Sequence, residues 1–174
     1  GDVCHSAGYR YRRKELLQNE SITVAGSGQS AAEVFLDLLK NRPEYGYSLR
    51  WYTRSSGFFP MEYSKLGLEH FSPEYISYFY HLDSYTKEQL LQKQDLLYKG
   101  ISADTIAAVY DELYEQTIGG ESEDITLQAN TEVMNMERMP AGKMKLFLRE
   151  INYGTEYTEE TEALIAATGY QPSP

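Results

Sequence analysis

"VAGSGQSAAEVF", Val24 to Phe35, decides how this chain folds. Gly26 and Gly28 stand one residue apart, between a β-branched stretch and an amphipathic one. The run Gly26-Ser27-Gly28-Gln29-Ser30-Ala31 fits G-x-G-x-x-(G/A). In that pattern the first glycine allows a tight turn and the second lets a pyrophosphate approach the backbone. The small third residue lets the helix pack on the strand. Free N–H groups and the dipole at the helix start then face the anion. The pattern alone also describes an ordinary glycine turn, so its flanks carry the argument.

Before it, "SITVA" (Ser21 to Ala25) reads as a short buried strand. After it, Ala31, Val34, Phe35, Leu38 and Leu39 recur at i, i+3, i+4, i+7 and i+8, one face of a helix. Pro43 and Gly46 are expected to break that helix, and "LRWYT" (Leu49 to Thr53) is the next strand. Strand, glycine turn, helix and strand make a βαβ unit, whose crossover favours a parallel sheet. The fold class expected is therefore α/β, a Rossmann-like parallel sheet.

The middle changes character. "SSGFFPMEYSKLGLEHF" has no clean period and reads as a long loop. Ser72 and Pro73 are a good N-cap and first helical residue for a helix to about His81. Thr86 and Gln89 are spaced as a capping box for the next helix. A third is capped by Ser102, striped by Ile106, Val109, Tyr110, Leu113 and Tyr114, and stopped at Gly119-Gly120. A helical insertion over about 57–118 follows from these. The last third is β: "DITLQA", then "TEVMNMERM" and "KMKLFLREI" as a hairpin across Pro140-Ala141-Gly142, then the apolar strand "EALIAATGY".

Composition bounds the function. A length of 174 residues fits one domain with a sizeable insertion, and 41% hydrophobic residues suffice for a core. The net charge of −10 argues against a nucleic-acid partner. No apolar run approaches the about 20 residues of a membrane helix, so no membrane role is expected. A single cysteine, Cys4, excludes an internal disulfide and suits the cytoplasm. Many of the sixteen tyrosines fall at helical spacing beside leucines, so most are expected to pack on amphipathic faces. The start at Gly1-Asp2-Val3 without Met suggests an excised fragment.

The end of the second strand chooses the nucleotide. NAD- and FAD-binding units place Asp or Glu there for the ribose hydroxyls. This chain has Arg54, flanked by Thr53, Ser55 and Ser56. A guanidinium cannot accept a hydroxyl proton but can clamp a 2′-phosphate, which favours NADP(H), against the plainer reading of a surface arginine in a turn. Other chemistries are poorly served. His5, His70 and His81 lack partners at metal-ligand spacing, so no metal is expected. There is no G-x-S-x-G elbow and no Walker lysine. The Tyr-x-x-x-Lys pair of a small reductase is absent around Tyr63–Lys65 and Tyr110–Tyr114. A nicotinamide with no redox partner is half a reaction.

Six segments, "HSAGY" (His5–Tyr9), "ITVAGSGQSAAEVF" (Ile22–Phe35), "WYTRSSGFFP" (Trp51–Pro60), "EHFSPEYI" (Glu69–Ile76), "IAAVYDELYE" (Ile106–Glu115) and "LIAATGYQPSP" (Leu164–Pro174), resemble the N-hydroxylating flavoprotein monooxygenases. That family holds the L-lysine N6-hydroxylases and L-ornithine N5-hydroxylases of siderophore biosynthesis. The resemblance implies that residues 21–174 are the NADPH-binding domain of such an enzyme and residues 1–20 a crossing segment from an FAD domain outside this chain. The parent enzyme would use NADPH, FAD and O2 to hydroxylate a terminal amine, and the fragment would be inactive alone. Carried over by position, Gly26, Ser27, Gly28, Gln29 and Ser30 would hold the pyrophosphate and adjoining ribose. Arg54 would meet the 2′-phosphate, and Thr168 and Gly169 would pass near the flavin–nicotinamide junction. No catalytic residue is transferred. Glu162 stands where the family has Asp, and Leu68 and Tyr98 align near asparagines of ornithine-type relatives. That favours lysine as substrate, with ornithine or a diamine (cadaverine, putrescine) as alternatives. A free-standing NADP(H)-binding regulatory module is the rival class, and oligomerisation stays open.

Overall fold

The protein is described by a computed structural model covering residues 1–61, 64–94, 97, 100–118, 124–140 and 142–169. The expected helix stop at Gly119-Gly120, the hairpin turn at Ala141, and Tyr63, Tyr98 and the tail Tyr170–Pro174 lie outside the described residues.

The chain builds three layers. A parallel sheet in the order β1-β8-β2-β3-β4 forms the middle, and an antiparallel meander in the order β5-β6-β7 covers one face. β2 (Ser21–Ala25) and β3 (Ser48–Tyr52) flank α2 (Gln29–Tyr45), the βαβ unit expected from the glycine turn. Their register pairs Val24 with Trp51. β8 (Ala163–Ala166) pairs on the other side of β2, and β1 (Asp2–His5) closes that edge. β4 (Ile125–Gln128) closes the opposite edge beside β3.

Alternation along these strands divides the core. Ile22, Val24, Leu49, Trp51, Ala163 and Ile165 pack with α1 (Tyr9–Leu16), α2 and α5 (Ala103–Thr117). Tyr52 and Leu164 instead meet Met144, Leu146 and Leu148 of β6 (Met144–Glu150) in the meander. β5 (Thr131–Arg138) and β6 are the expected hairpin; β7 (Glu156–Thr161) was not foreseen. Between the layers, the buried Thr23 hydroxyl donates to Thr161 Oγ1 at 3.0 Å.

Four expectations need correction. Pro43 does not break α2; the helix runs on to Gly46, which takes the left-handed conformation at φ 78°. A proline removes one N–H, and the acceptor it abandons, the Leu39 carbonyl, takes Gln116 Nε2 of α5 at 2.7 Å instead. Thr86 is not the cap of α4 (Ser84–Lys93). Asp83 is, accepting from Thr86 N at 3.0 Å, because a carboxylate is the stronger acceptor at a helix start. Tyr110 and Tyr114 do not join the buried stripe of α5; they stand exposed while Val109 is buried. The tyrosines in general are less packed than expected: Tyr9, Tyr47 and Tyr52 are buried, whereas Tyr78, Tyr80 and Tyr85 on α3 (Pro73–Tyr80) and α4 face outward.

The segment expected as a loop carries a short 3-10 turn, Gly67–Phe71. Its base is tied: Pro60 bridges Ile101 in parallel, with Met61 N donating to the Ile101 carbonyl at 2.8 Å and Ile101 N to the Phe59 carbonyl at 3.0 Å.

Candidate functional site: the glycine turn at the carboxyl edge

Parallel order places the carboxyl ends of β8, β2 and β3 side by side, so Thr168, Gly26 and Arg54 come to one edge of the sheet. In open α/β sheets ligands bind outside such strand ends.

The turn between β2 and α2 is held on three sides. Gly26 N donates to the Tyr52 carbonyl at 3.0 Å. The Gly26 carbonyl accepts from Trp51 Nε1 at 2.8 Å. Ala167 N donates to the Ala25 carbonyl at 2.7 Å, which brings the end of β8 against the turn. Trp51, 2% exposed, is fixed between Phe35 (centroids 4.9 Å apart) and Phe58 (4.4 Å).

The two glycines are needed for different reasons. Gly26 has φ 154°, and a Cβ there would lie 2.3 Å from the Ala167 carbonyl oxygen. The chain's own packing demands it. Gly28 has extended backbone at φ −103° and ψ −174°, and a Cβ there would meet nothing within 4 Å. Nothing in the protein itself requires glycine at Gly28, so the residue is suited to a cradle that a Cβ would fill.

Gly28 offers no side chain to cap α2, and its carbonyl takes the N–H groups of Ala31 (3.1 Å) and Ala32 (3.2 Å). Among the described residues, the N–H groups of Ser27, Gly28, Gln29 and Ser30 reach no acceptor. These donors, at the positive end of a 17-residue helix, suit an anion.

Arg54 follows the buried Thr53, whose N donates to the Gln128 carbonyl (3.0 Å) and whose Oγ1 accepts from Ser55 N (3.1 Å). Its backbone is thus fixed, and its exposed side chain has no hydrogen-bond or ionic partner among the described residues. By contrast Arg13 grips Asp37, with Nε at 2.6 Å and Nη2 at 3.0 Å, and Arg149 pairs with Glu132 at 2.7 Å. Ser30, Thr168 and Gly169 are exposed at the same edge, Gly169 at φ 84°.

Gln29 behaves differently from the expectation for its neighbours. Its Nε2 donates to Glu33 Oε1 (2.9 Å) and Thr105 Oγ1 (3.0 Å), and its Oε1 accepts from Ser102 N (2.7 Å). The side chain therefore points to the start of α5. Trp51, Ala167 and this reach of Gln29 were the features missed from the sequence.

The remaining titratable groups serve the frame. Burial pushes the Tyr9 phenol up, and its bond to Asp37 at 2.6 Å pushes it further. Burial alone would raise the Asp37 carboxyl, but the hydrogen bonds from Arg13 and Tyr9 outweigh it and hold the group below the usual carboxylate range. Burial moves the Tyr52 phenol to about 12. His70 and His81 engage the nearby carbonyls of Gly67 and Ser77. Among the described residues no His, Cys, Asp and Glu cluster could hold a metal ion, and no helix is long and apolar enough to cross a membrane. A cavity of about 540 Å³ lies at the opposite edge, by Ser21, Ser48 and Arg50. One of about 340 Å³ lies between α1 and α2, by Arg10, Arg13 and Asp37. The second also touches Ser30; neither is lined by Gly28 or Arg54.

A parallel sheet with helices on one face, a meander on the other and a glycine turn at its carboxyl edge defines the class, a flavin-monooxygenase-type α/β domain. The chain belongs to the L-lysine 6-monooxygenase/L-ornithine 5-monooxygenase family, whose model matches residues 1–172. It is 42% identical over 174 residues to the rhizobactin siderophore biosynthesis protein RhbE of Rhizobium meliloti, covering 97% of this chain and 38% of that protein. It is 42% identical over 170 residues to a putrescine N-hydroxylase of Shewanella oneidensis, covering 97% of this chain and 34% of that protein. The FAD-bound crystal structure of DfoA, a cadaverine monooxygenase of the desferrioxamine pathway of Erwinia amylovora, superposes with a TM-score of 0.92 at 41% identity, covering 99% of this chain and 40% of that one. This chain thus spans well under half the length of these relatives.

Proposed function

We propose that this chain is the NADPH-binding part of an FAD- and NADPH-dependent amine N-hydroxylase of siderophore biosynthesis. One observation carries the reading. Among the described residues, the turn presents N–H groups without acceptors, beside a glycine that the protein's own packing does not require, one strand end from Thr168 on one side and from an unpaired Arg54 on the other.

The residues divide the work. The backbone of Gly26, Ser27, Gly28, Gln29 and Ser30 would hold the pyrophosphate and adjoining ribose. Arg54 would clamp the 2′-phosphate by charge-assisted hydrogen bonds. Thr168 and Gly169, leaving β8, would run beside the junction with a flavin held by a part of the parent outside residues 1–174. Bound NADPH would supply a hydride to that flavin, and O2 would supply the oxygen placed on the amine. Residues 1–20 are read as the segment entering from the FAD domain, with β1 laid on the edge of the sheet.

For the substrate we favour a terminal diamine over the lysine favoured by the sequence. Two of the relatives at 41–42% identity carry diamine names, putrescine and cadaverine. A diamine lacks the carboxylate of lysine, so the two differ by one anionic group that the parent's pocket must accept or exclude.

The test is an amine panel on the full-length parent with FAD and NADPH, reading hydroxylated product from cadaverine, putrescine, lysine and ornithine. Cadaverine or putrescine should give the highest kcat/KM. A preference for lysine would return the sequence reading. NADPH binding without flavin or hydroxylated product would support the regulatory module.

A further inference from the structure

The motif reading assigns Gln29 to the nucleotide, yet every polar atom of its side-chain amide is spent elsewhere. Oε1 takes the N–H of Ser102, the residue that caps α5, and Nε2 is shared between Thr105 and Glu33. Ser102 Oγ lies 2.7 Å from Thr105 Oγ1 and accepts from Thr105 N at 3.2 Å, so the amide meets a preformed cap. Immediately before that cap, Ile101 is bridged to Pro60. Phe58, just upstream of the bridge, packs on Trp51, whose indole N–H holds the Gly26 carbonyl. The 57–118 insertion is therefore fastened to the glycine turn on both sides of the Pro60–Ile101 bridge, through Trp51 before it and Gln29 after it.

We propose that Gln29 is a positioning residue, whose side chain does not touch the nucleotide but locks the start of α5 to the mouth of α2. Seating a nucleotide on the turn and placing the insertion then become one coupled event. The physical reason lies in the donors: both Nε2 protons have acceptors within 3.0 Å, leaving none for a phosphate, and Oε1 is held at 2.7 Å by Ser102 N. Turning the amide toward a ribose would leave the Ser102 N–H at the helix start without a partner. Coupling of this kind is reciprocal: whatever steadies the insertion tightens the nucleotide, and the reverse.

The inference rests on the nucleotide reading above, and its test separates the two. In the full-length holoenzyme, Gln29→Ala, Thr105→Val and the double variant are compared for NADP⁺ affinity and for NADPH oxidation. Thr105→Val keeps the side-chain shape and removes only the hydroxyl. Each single variant should weaken NADP⁺ by about three- to tenfold, and the double should be no worse than the weaker-binding single. KM for NADPH should rise with kcat at saturation retained, which general destabilisation would not produce. A silent Thr105→Val beside a damaged Gln29→Ala would mean direct contact with the nucleotide and overturn the proposal, as would effects that multiply. If the wild-type enzyme binds no NADP⁺, the nucleotide reading fails. Hydrogen exchange over residues 101–105 then judges the lock: faster exchange in Gln29→Ala supports it, and unchanged exchange overturns it.

Discussion

Gln116 Nε2 donates to the Leu39 carbonyl at 2.7 Å, the acceptor that Pro43, four residues on, cannot serve. A side chain of α5 thus repairs the backbone of α2. Gln116→Met, of similar length but without the donor, should cost about 1–3 kcal/mol in chemical denaturation, as expected when a buried carbonyl loses its partner. In a Pro43→Ala background the restored N–H serves Leu39, and the same substitution should cost clearly less. Equal costs in the two backgrounds would refute the repair.

The two glycines of the turn should separate stability from binding. Gly26→Ala forces a Cβ to 2.3 Å from the Ala167 carbonyl at φ 154°, and should destabilise the fold by about 3 kcal/mol or more. Gly28→Ala has open space and extended backbone, so its stability should stay within about 0.5 kcal/mol of wild type. NADP⁺ binding should nevertheless fall steeply. Thermal melts paired with titration calorimetry read both quantities.

Arg54→Ala should weaken NADP⁺ binding by about 1.5–3 kcal/mol, the range for hydrogen bonds to a charged group, and leave NAD⁺ nearly unchanged. Calorimetry with both nucleotides on the full-length enzyme checks it. Equal losses would mean that the guanidinium does not read the 2′-phosphate. The fold should not notice, because Arg54 has no partner among the described residues to lose.

Acid should act on the α1–α2 tie. The native Asp37 carboxyl titrates lower than an unfolded aspartate, so its contribution is complete above about pH 4. It is lost as the pH falls through the native value. Asp37 is partly exposed, so Asp37→Asn should cost about 1 kcal/mol at neutral pH after solvent screening. The gap between variant and wild type should close on acidification; a constant gap in a pH series of urea melts would contradict the assignment.

What could be read from the sequence was local. The β2–turn–α2–β3 unit was legible because Gly26, Gly28 and the stripe from Ala31 to Leu39 fall within one window, and Arg54 is placed by counting from that unit. β1 was not, since four residues of mixed polarity become a strand only by pairing with β8 at the far end of the chain. β7, "EYTEET", hid its alternation behind acidic residues whose outward face is solvated. The continuation of α2 past Pro43 depended on Gln116, 77 positions from Leu39, and the engagement of Gln29 on Ser102, 73 positions away. Contacts of that separation leave no periodic trace. The motif included Gln29, the first residue of α2, and gave no sign of which way its amide faces.

The Pro60–Ile101 bridge has a consequence for how such domains diversify. The described helices between those two positions, α3 and α4, stand beyond one pinched neck. Among the described residues no strand of either sheet lies beyond it, so exchanging the outer helices leaves the strand order as it is. A lineage can therefore vary the outer helices while inheriting the sheet beneath them.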